Sequence, residues 1–278
     1  MQDIVAKLML SRQSIRAGIF RRIVKTLKLF PYETRLEYGA IERPHYGYCV
    51  LQAARLAERL GHKAISVIEF GVAGGNGLYN LEMHAAEVTK LTGIEIQIYG
   101  FDTGSGLPAV LDYRDLPYHW KPGFFKMDVE KLKARLSTST LVIGNVADTI
   151  QSFVEKYKPA PIGALFMDLD YYSSTKQAFA LFDAHRASLL PRAFMYFDDI
   201  AGDEIALFNE YTGVRLAIQE FNAAHAEQKI CKTTYLGRGP TQEMWHDDIY
   251  IYHDFSSVDY CKFVAASNQQ LPLNFNKL

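Results

Sequence analysis

A strand, a glycine-rich turn and a helix follow one another early in this chain, and this feature most constrains its fold. Residues 65–81 read Ile-Ser-Val-Ile-Glu-Phe-Gly-Val-Ala-Gly-Gly-Asn-Gly-Leu-Tyr-Asn-Leu, with four glycines within seven positions. The β-branched run favours a strand, and the pattern after the last glycine favours a helix. Glycines let a ligand approach the backbone, and the free N–H groups at a helix start favour an anionic group. The stretch predicts a ligand-binding turn, although glycines also permit tight strand-to-helix packing.

The acid that ends this strand, Glu69, distinguishes between ligands. A dinucleotide places a pyrophosphate on such a turn, and a neighbouring carboxylate would repel it. S-adenosylmethionine carries an ammonium, a sulfonium and one carboxylate, which an acid and a helix N-terminus complement together. We therefore predict S-adenosylmethionine as the cofactor, bound near Glu69, Gly71, Gly74 and Gly75, with a dinucleotide as the alternative.

Strands and helices alternate after the first strand, which is typical of a parallel sheet with helices on both faces. Further strands are expected at residues 94–101, 141–144, 162–167, 193–197, 229–236 and 249–254. The main helices are expected at residues 46–60, 78–91, 174–189 and 213–224. The last two strands have no helix between them, which indicates an antiparallel hairpin. The expected fold class is α/β, a Rossmann-like, seven-stranded, mostly parallel sheet preceded by N-terminal helices.

Length and composition predict one large domain with additions at both ends. We expect an N-terminal helical extension at residues 1–62, the core domain at 63–256 and a tail at 257–278. A net charge of −1 predicts no general attraction to nucleic acid. Three scattered cysteines show neither metal-binding nor disulfide spacing, which indicates a reducing cytoplasm. No apolar run is as long as a membrane span.

Residues 4–30 place apolar side chains at helical spacing between arginines and lysines. This pattern predicts a basic amphipathic helix, which serves either as an arm for packing or homo-oligomer contact, or as a weak contact with a membrane surface.

Acidic and amide side chains follow nearly every predicted strand. They are Glu69, Asp102, Asn145, Asp168, Asp170, Asp198 and Asp199. The carboxyl ends of parallel strands share the edge of the sheet where ligands bind. Because gathered carboxylates repel one another unless a cation lies among them, the cluster predicts cationic ligands.

Two of these side chains, together with Asp148, have a predicted role in binding the nucleoside. Asp102, 33 residues after Glu69, is placed either to accept both ribose hydroxyls or to form an Asx-turn that opens the next loop. Asn145 and Asp148 are placed either to meet the adenine amino group or to cap the following helix.

Asp168, Asp198 and Asp199 follow two strands that are commonly neighbours, and carboxylate oxygens are the ligands that Mg²⁺ prefers. We predict that they bind Mg²⁺, which would align a substrate hydroxyl and lower its pKa. Asp170 would orient Asp168 or accept the proton. The alternative is that these acids cap helices.

Two long loops, at residues 103–128 and 200–211, carry many aromatic side chains. Long loops at a binding edge are commonly lids, and oligomer contact is the alternative. Within the first loop, His119 is the histidine we would test as a base.

Several motifs together resemble a known family. They are Glu69-Phe-Gly-Val-Ala-Gly-Gly, Gly100-Phe-Asp-Thr-Gly-Ser-Gly-Leu-Pro108, Asp168-Leu-Asp-Tyr-Tyr-Ser-Ser-Thr175, Phe197-Asp-Asp199 and Gly213-Val-Arg-Leu-Ala-Ile-Gln-Glu-Phe221. Over residues 65–221 the chain resembles class I S-adenosylmethionine-dependent methyltransferases, particularly the macrocin-type O-methyltransferases that modify macrolide sugars. The resemblance implies Mg²⁺ at Asp168, Asp198 and Asp199, with Asp168 also as base. The chain departs from the family at Val72-Ala73, in part of residues 144–149, and in the N-terminal helix.

The residues and the resemblance together predict a cytoplasmic, Mg²⁺-assisted O-methyltransferase that acts on a hydroxyl of a sugar or glycosylated small molecule. The alternatives are an NAD-dependent oxidoreductase on the same kind of sheet and a non-catalytic protein that binds S-adenosylmethionine.

Overall fold

The computed structural model describes residues 22–25, 30–202, 204–236 and 243–265. Most of the basic helix predicted at residues 4–30 lies outside these segments, although residues 22–25 are helical. The helices are α1 (Tyr32–Glu37), α2 (Pro44–Leu60), α3 (Asn76–Thr92), α4 (Val129–Arg135), α5 (Val146–Tyr157), α6 (Tyr172–Ala178), α7 (Ala180–Ala184) and α8 (Gly213–Ala224). In the described segments, no helix combines the length and apolar character that crossing a membrane requires.

Seven strands form one sheet. They are β1 (Ala64–Phe70), β2 (Glu95–Asp102), β3 (Ser139–Ile143), β4 (Ile162–Met167), β5 (Leu189–Phe197), β6 (Gln228–Lys232) and β7 (Ile249–Asp254). Their order is β3-β2-β1-β4-β5-β7-β6; β1 to β5 are parallel, and β7 is antiparallel to both β5 and β6. The predicted fold class and the antiparallel C-terminal pair are confirmed.

The helices cover both faces of the sheet and create two hydrophobic cores. On β1, Ile65 and Val67 face the core formed with α2 and α3, whereas Ile68 and Phe70 face the core formed with α5 to α8. This division follows from the alternation of side chains along a strand. Glu69 therefore points towards α2 and α3, on the opposite side from Phe70.

Helix α2 belongs to the first core, because Tyr46, Val50 and Ala53 are completely buried against the sheet. It ends at Gly61, whose left-handed backbone, with φ of 88°, closes the helix. The domain boundary predicted at residue 62 stays a prediction. Helix α2, which precedes this boundary, packs on the core domain.

The predicted helix at residues 174–189 is wrong at its C-terminal end. Helices α6 and α7 occupy residues 172–184, and β5 begins at Leu189 rather than at residue 193. Leu189 pairs with Ile162, and the register then shifts before Ala164 pairs with Phe194. Pro191 lies in this irregular stretch and has no N–H to donate, so the strand signal was weak there.

Candidate active site

The glycine turn after β1 is shaped by a close contact with the end of β4. Gly71 has φ of 85°, and a Cβ built on it would lie 1.6 Å from the carbonyl oxygen of Asp168. Gly75, which precedes α3, has φ of 80°, and its Cβ would lie 2.1 Å from the side chain of Leu132. Gly74 has no neighbour within 4 Å of such a Cβ. Of these three glycines, Gly71 and Gly75 are required by their surroundings and Gly74 is not.

Asp102, at the end of β2, holds this turn in place. Its Oδ2 accepts hydrogen bonds from the N–H groups of Val72 and Ala73, both at 2.9 Å. Its Oδ1 accepts from the N–H of Gly104 at 2.6 Å, which is the Asx-turn that the sequence offered as one alternative. Contact of Asp102 with a ribose stays a prediction. Asp102 is one of the residues that line the cavity.

One cavity of about 280 Å³ lies along the carboxyl ends of the parallel strands. It joins the glycine turn to the acids after β4 and β5. The predicted site residues that line it are Gly71, Asp102, Asn145, Asp168, Asp170, Asp198 and Asp199. Those that do not line it are Glu69, Gly74, Gly75, His119 and Asp148.

Glu69 lies beneath the turn instead of facing the cavity. Its side chain is buried, and its Oε1 accepts a hydrogen bond from the Tyr46 hydroxyl at 2.6 Å. A Cβ on Gly77 would lie 1.6 Å from Oε1, so this glycine makes room for the carboxyl group. Oε2 has no hydrogen-bond partner among the described residues. Burial is the main reason that the pKa of Glu69 is raised to about 7.

Asn145 caps helix α5 and also lines the cavity. Its side-chain oxygen accepts a hydrogen bond from the N–H of Ala147 at 2.9 Å, as the capping alternative predicted. Asp148 lies in the first turn of α5, outside the lining. Contact of Asn145 or Asp148 with adenine stays a prediction. Asn145 is the better placed of the two, because it lines the cavity and Asp148 does not.

Four carboxylates form the acidic end of the cavity. The N–H of Asp170, a residue with φ of 59°, donates to Oδ2 of Asp199 at 2.9 Å. The Tyr196 hydroxyl donates to Oδ1 of Asp198 at 2.6 Å. Burial and then the neighbouring carboxylates raise the pKa of Asp168 and of Asp199, and raise that of Asp170 to about 8. This end of the cavity therefore favours a positively charged ligand.

The two long loops meet beside the cavity. Trp120 and Phe125 line it, and the Tyr118 hydroxyl donates to the carbonyl of Ala206 in the second loop at 2.8 Å. His119 packs against Trp120, with ring centroids 4.2 Å apart, and lies outside the lining. The indole N–H of Trp120 is buried without a partner among the described residues. A role of His119 as base stays a prediction, and nothing in its surroundings favours it.

Comparison with known proteins adds information about the fold. No family model matches the sequence, and no curated protein matches it. A crystal structure of CalS11, a calicheamicin methyltransferase, is 19% identical, covers 87% of this chain and 93% of that chain, and has a TM-score of 0.51. The chain has the class I methyltransferase fold.

Two further structures are less similar. The apo structure of CalS11, described as a TDP-rhamnose 3'-O-methyltransferase, is 16% identical over 87% of this chain and 94% of that chain, with a TM-score of 0.45. The O-methyltransferase from Bacillus cereus in complex with SAH is 15% identical over 84% and 96%, with a TM-score of 0.38. The fold assignment rests on the first CalS11 structure, which at 19% identity establishes the class I methyltransferase fold alone, and the resemblance seen in the motifs is confirmed at that level.

The predicted metal ligands suit Mg²⁺ in kind but not in their present arrangement. Asp168, Asp198 and Asp199 offer hard oxygen atoms. Within the described segments, however, no three His, Cys, Asp or Glu side chains are grouped closely enough to hold a metal ion. One oxygen of Asp199 is already bonded to the Asp170 N–H.

Three residues near the cavity of this class I methyltransferase fold were not singled out from the sequence. Ser174 and Gln177 on α6 line the cavity. Ser174 belongs to the Asp168–Thr175 motif, which was the available signal, whereas nothing in the sequence marks Gln177. The charge of Arg43, immediately before α2, offsets part of the rise in the pKa of Asp168 and of Glu69. The position of Arg43 in the sequence gave no sign of this.

Proposed function

We propose that this chain is an S-adenosylmethionine-dependent O-methyltransferase that acts on a hydroxyl of a sugar or glycosylated small molecule. The observation that carries the proposal is the cavity at the ends of the parallel strands, which places the glycine turn and Asp102 towards one end and four carboxylates towards the other. A nucleoside with a cationic sulfur centre matches both ends. The class I methyltransferase fold and the motifs of the sequence support the same activity.

In this proposal the adenosine part of the donor lies beside Gly71, Asp102 and Asn145, at the ends of β1, β2 and β3. The sulfonium then faces the acids that follow β4 and β5. Its positive charge favours the ionised forms of Asp168 and Asp170, because an opposite charge lowers the pKa of a carboxyl group. Binding of the donor thus prepares a proton acceptor.

The reaction transfers one methyl group. The acceptor oxygen attacks the methyl carbon, the carbon–sulfur bond breaks, and its electron pair stays on sulfur to give S-adenosylhomocysteine. The hydroxyl proton passes to a carboxylate, and Asp168 or Asp170 is the proposed base. The enzyme contributes mainly by aligning oxygen, carbon and sulfur.

Assistance by Mg²⁺ is a further element of the proposed activity. A Mg²⁺ ion bound by Asp168, Asp198 and Asp199 would supply a Lewis acid for the acceptor hydroxyl. Calorimetric titration of the protein with MgCl₂, before and after saturation with S-adenosylmethionine, measures whether these carboxylates bind the ion. An Asp198→Asn variant should weaken any such binding, whereas Asp148→Asn should leave it unchanged.

Binding of the donor separates this proposal from the oxidoreductase alternative. Calorimetry should show that S-adenosylmethionine binds and NAD does not, because the acidic end of the cavity repels a pyrophosphate. Tight binding of NAD without binding of S-adenosylmethionine would favour the oxidoreductase.

Turnover separates the proposal from a non-catalytic binding protein. Formation of S-adenosylhomocysteine should be measured with a panel of neutral, amino and anionic glycosides. Asp168→Asn should abolish product formation while donor binding persists, and Asp148→Asn should preserve both. Donor binding without any consumption across the panel would favour the non-catalytic alternative.

The remaining predictions concern location and partners. We propose a cytoplasmic protein whose partner is a small-molecule acceptor and not a nucleic acid. Homo-oligomer formation and contact with a membrane surface through residues 4–30 are proposals of the sequence alone; light scattering and sedimentation with anionic vesicles would test them.

A further inference from the structure

Arg43 has an unusual backbone conformation next to the acidic end of the cavity. It precedes Pro44 and has φ of 43° and ψ of 61°, in the left-handed region. Residues before proline favour extended conformations, and non-glycine residues rarely have positive φ. Such a strained conformation persists only where its surroundings hold it, often at functional sites.

A rigid platform supports the Arg43 side chain. The guanidinium carbon lies 5.0 Å from the centroid of the Tyr46 ring. Tyr46 is completely buried, its ring stacks on Phe166 with centroids 4.3 Å apart, and its hydroxyl donates to Glu69. Because the ring is held from two sides, the guanidinium that stacks on it is held as well.

The Tyr46 ring on which the guanidinium stacks lies 5.8 Å from the ring of Tyr196, whose hydroxyl donates to Asp198 at the acidic end of the cavity. Burial disfavours the charged form of the guanidinium, but the charges of Tyr46, Glu69, Asp168 and Asp198 raise the pKa of Arg43. Asp168 and Asp198 line the cavity. Among the described residues, no carboxylate lies within ion-pair distance of the guanidinium and no side chain or carbonyl accepts a hydrogen bond from it. Arg43 is not among the residues that line the cavity, so its unpaired N–H donors are available to a part of the ligand that extends beyond the cavity.

We propose that Arg43 binds an oxyanion of the methyl acceptor, a phosphate or carboxylate group carried near the hydroxyl that is methylated. This inference rests on the proposed function, because it takes the neighbouring cavity as the donor site. A guanidinium offers two parallel N–H groups that match two oxygens of such an anion, and stacking on Tyr46 fixes the orientation of these groups. The sulfonium of the bound donor would offset the repulsion between the anion and the acidic end of the cavity.

The test compares simple sugars that differ in charge. Dissociation constants for α-D-glucose 1-phosphate, D-glucuronate and methyl α-D-glucopyranoside are measured by calorimetry on the full chain saturated with S-adenosylmethionine. We expect at least one anionic sugar to bind about tenfold more tightly than the neutral one. A preference for the phosphate or the carboxylate identifies which oxyanion the site accepts.

Variants assign the preference to Arg43. In Arg43→Gln the preference should disappear, and in Arg43→Lys it should be reduced, since the charge remains but the planar fork is lost. Arg55→Gln, which removes an exposed arginine paired with Glu33, should keep the full preference. The affinity for S-adenosylmethionine should be similar in all three variants, which controls for folding.

Three results would overturn the inference: two of them concern Arg43 alone, and the third concerns the proposed function. Equal affinity for neutral and anionic sugars, or an anion preference that survives in Arg43→Gln, would reject the role of Arg43 while leaving the proposed function intact. Failure of the wild-type chain to bind S-adenosylmethionine would reject the proposed function and this inference with it.

Discussion

A Cβ on Gly71 would lie 1.6 Å from the carbonyl oxygen of Asp168, and the backbone there has φ of 85°. At the scale of single residues, this contact sets how closely the glycine turn approaches the acids after β4. Asp102 fixes the other side of the turn by accepting the N–H groups of Val72 and Ala73. The distance between the two ends of the cavity therefore depends on backbone contacts that a side chain at residue 71 would break.

Gly71→Ala should lower the free energy of unfolding by about 2–4 kcal/mol and abolish binding of S-adenosylmethionine. The new methyl group would overlap the backbone of Asp168, and the alanine would have to keep a strained positive φ. Gly74→Ala is the matched control, since a Cβ there meets nothing within 4 Å. It should change the unfolding free energy by less than about 1 kcal/mol. Urea denaturation and calorimetry measure both effects, and equal behaviour of the two variants would contradict this account.

Glu69 predicts a pH dependence of stability. Its pKa is about 7 in the folded protein, against an ordinary value of 4.5, so the folded state holds this proton more tightly than the unfolded state. The wild type should therefore lose stability relative to Glu69→Gln as pH rises from 4.5 to 7, by about 2–4 kcal/mol in total, and remain level above that range. Comparing the variants cancels the contributions of the other acids. Urea denaturation across this range measures the difference.

Glu58→Gln, at an exposed position of α2, serves as the control. Its stability relative to the wild type is measured across the same pH range. If the difference in stability between the wild type and Glu69→Gln stays constant across this range, the Glu69 carboxyl group does not titrate as described.

At the scale of elements, the first long loop is tied to α6. Asp115 is buried and accepts hydrogen bonds from the N–H and hydroxyl of Ser173, at 2.8 and 3.0 Å. The same loop reaches the second loop through Tyr118. Since α6 carries two cavity residues and the first loop carries Trp120 and Phe125, these contacts hold separate parts of the cavity wall together.

Tyr118→Phe should accelerate dissociation of S-adenosylmethionine about two- to tenfold, because it removes the hydrogen bond to Ala206 that joins the two loops, a bond worth about 1 kcal/mol. Tyr113→Phe removes an exposed hydroxyl from the same loop and should leave the rate unchanged. Stopped-flow displacement of the bound cofactor measures the rates. Identical dissociation rates in the two variants would mean that the hydrogen bond between the loops does not slow release of the cofactor.

At the scale of the whole molecule, the sheet is covered on both faces, and α2 covers one of them. Its buried residues share a core with β1, β4 and β5, so this part of the N-terminal region is built into the folded domain. Tyr46 and Arg43, at the start of α2, also place it next to the acidic end of the cavity.

Removing residues 1–62 should therefore prevent cooperative folding, because the apolar face of the sheet that α2 covers would be exposed to water. A fragment that begins at Arg22 keeps α1 and α2 and is expected to unfold in one cooperative transition. Thermal unfolding followed by circular dichroism distinguishes the two fragments. A cooperative transition in the shorter one would mean that the core domain folds without α2.

Periodicity and strand-end patterns predicted the sheet, its C-terminal antiparallel pair and the gathering of Asp102, Asp168, Asp198 and Asp199 at one cavity. They failed where local signals were ambiguous. The stretch at residues 185–192 contains Pro191 and an irregular register, so the start of β5 was missed. Arg43 was missed because its relation to the acids is a long-range contact that leaves no local pattern in the sequence.

The sequence alone determined the α/β architecture and which strand ends carry acids, because side-chain periodicity and glycine spacing are local properties. The tertiary structure decided how those acids are used. Glu69 lies beneath the glycine turn because its strand position points it towards α2, and Asp102 bonds to the backbone because the turn folds back onto β2. Which polar group meets which partner depends on the packing of distant segments, and that packing exists only in the folded chain.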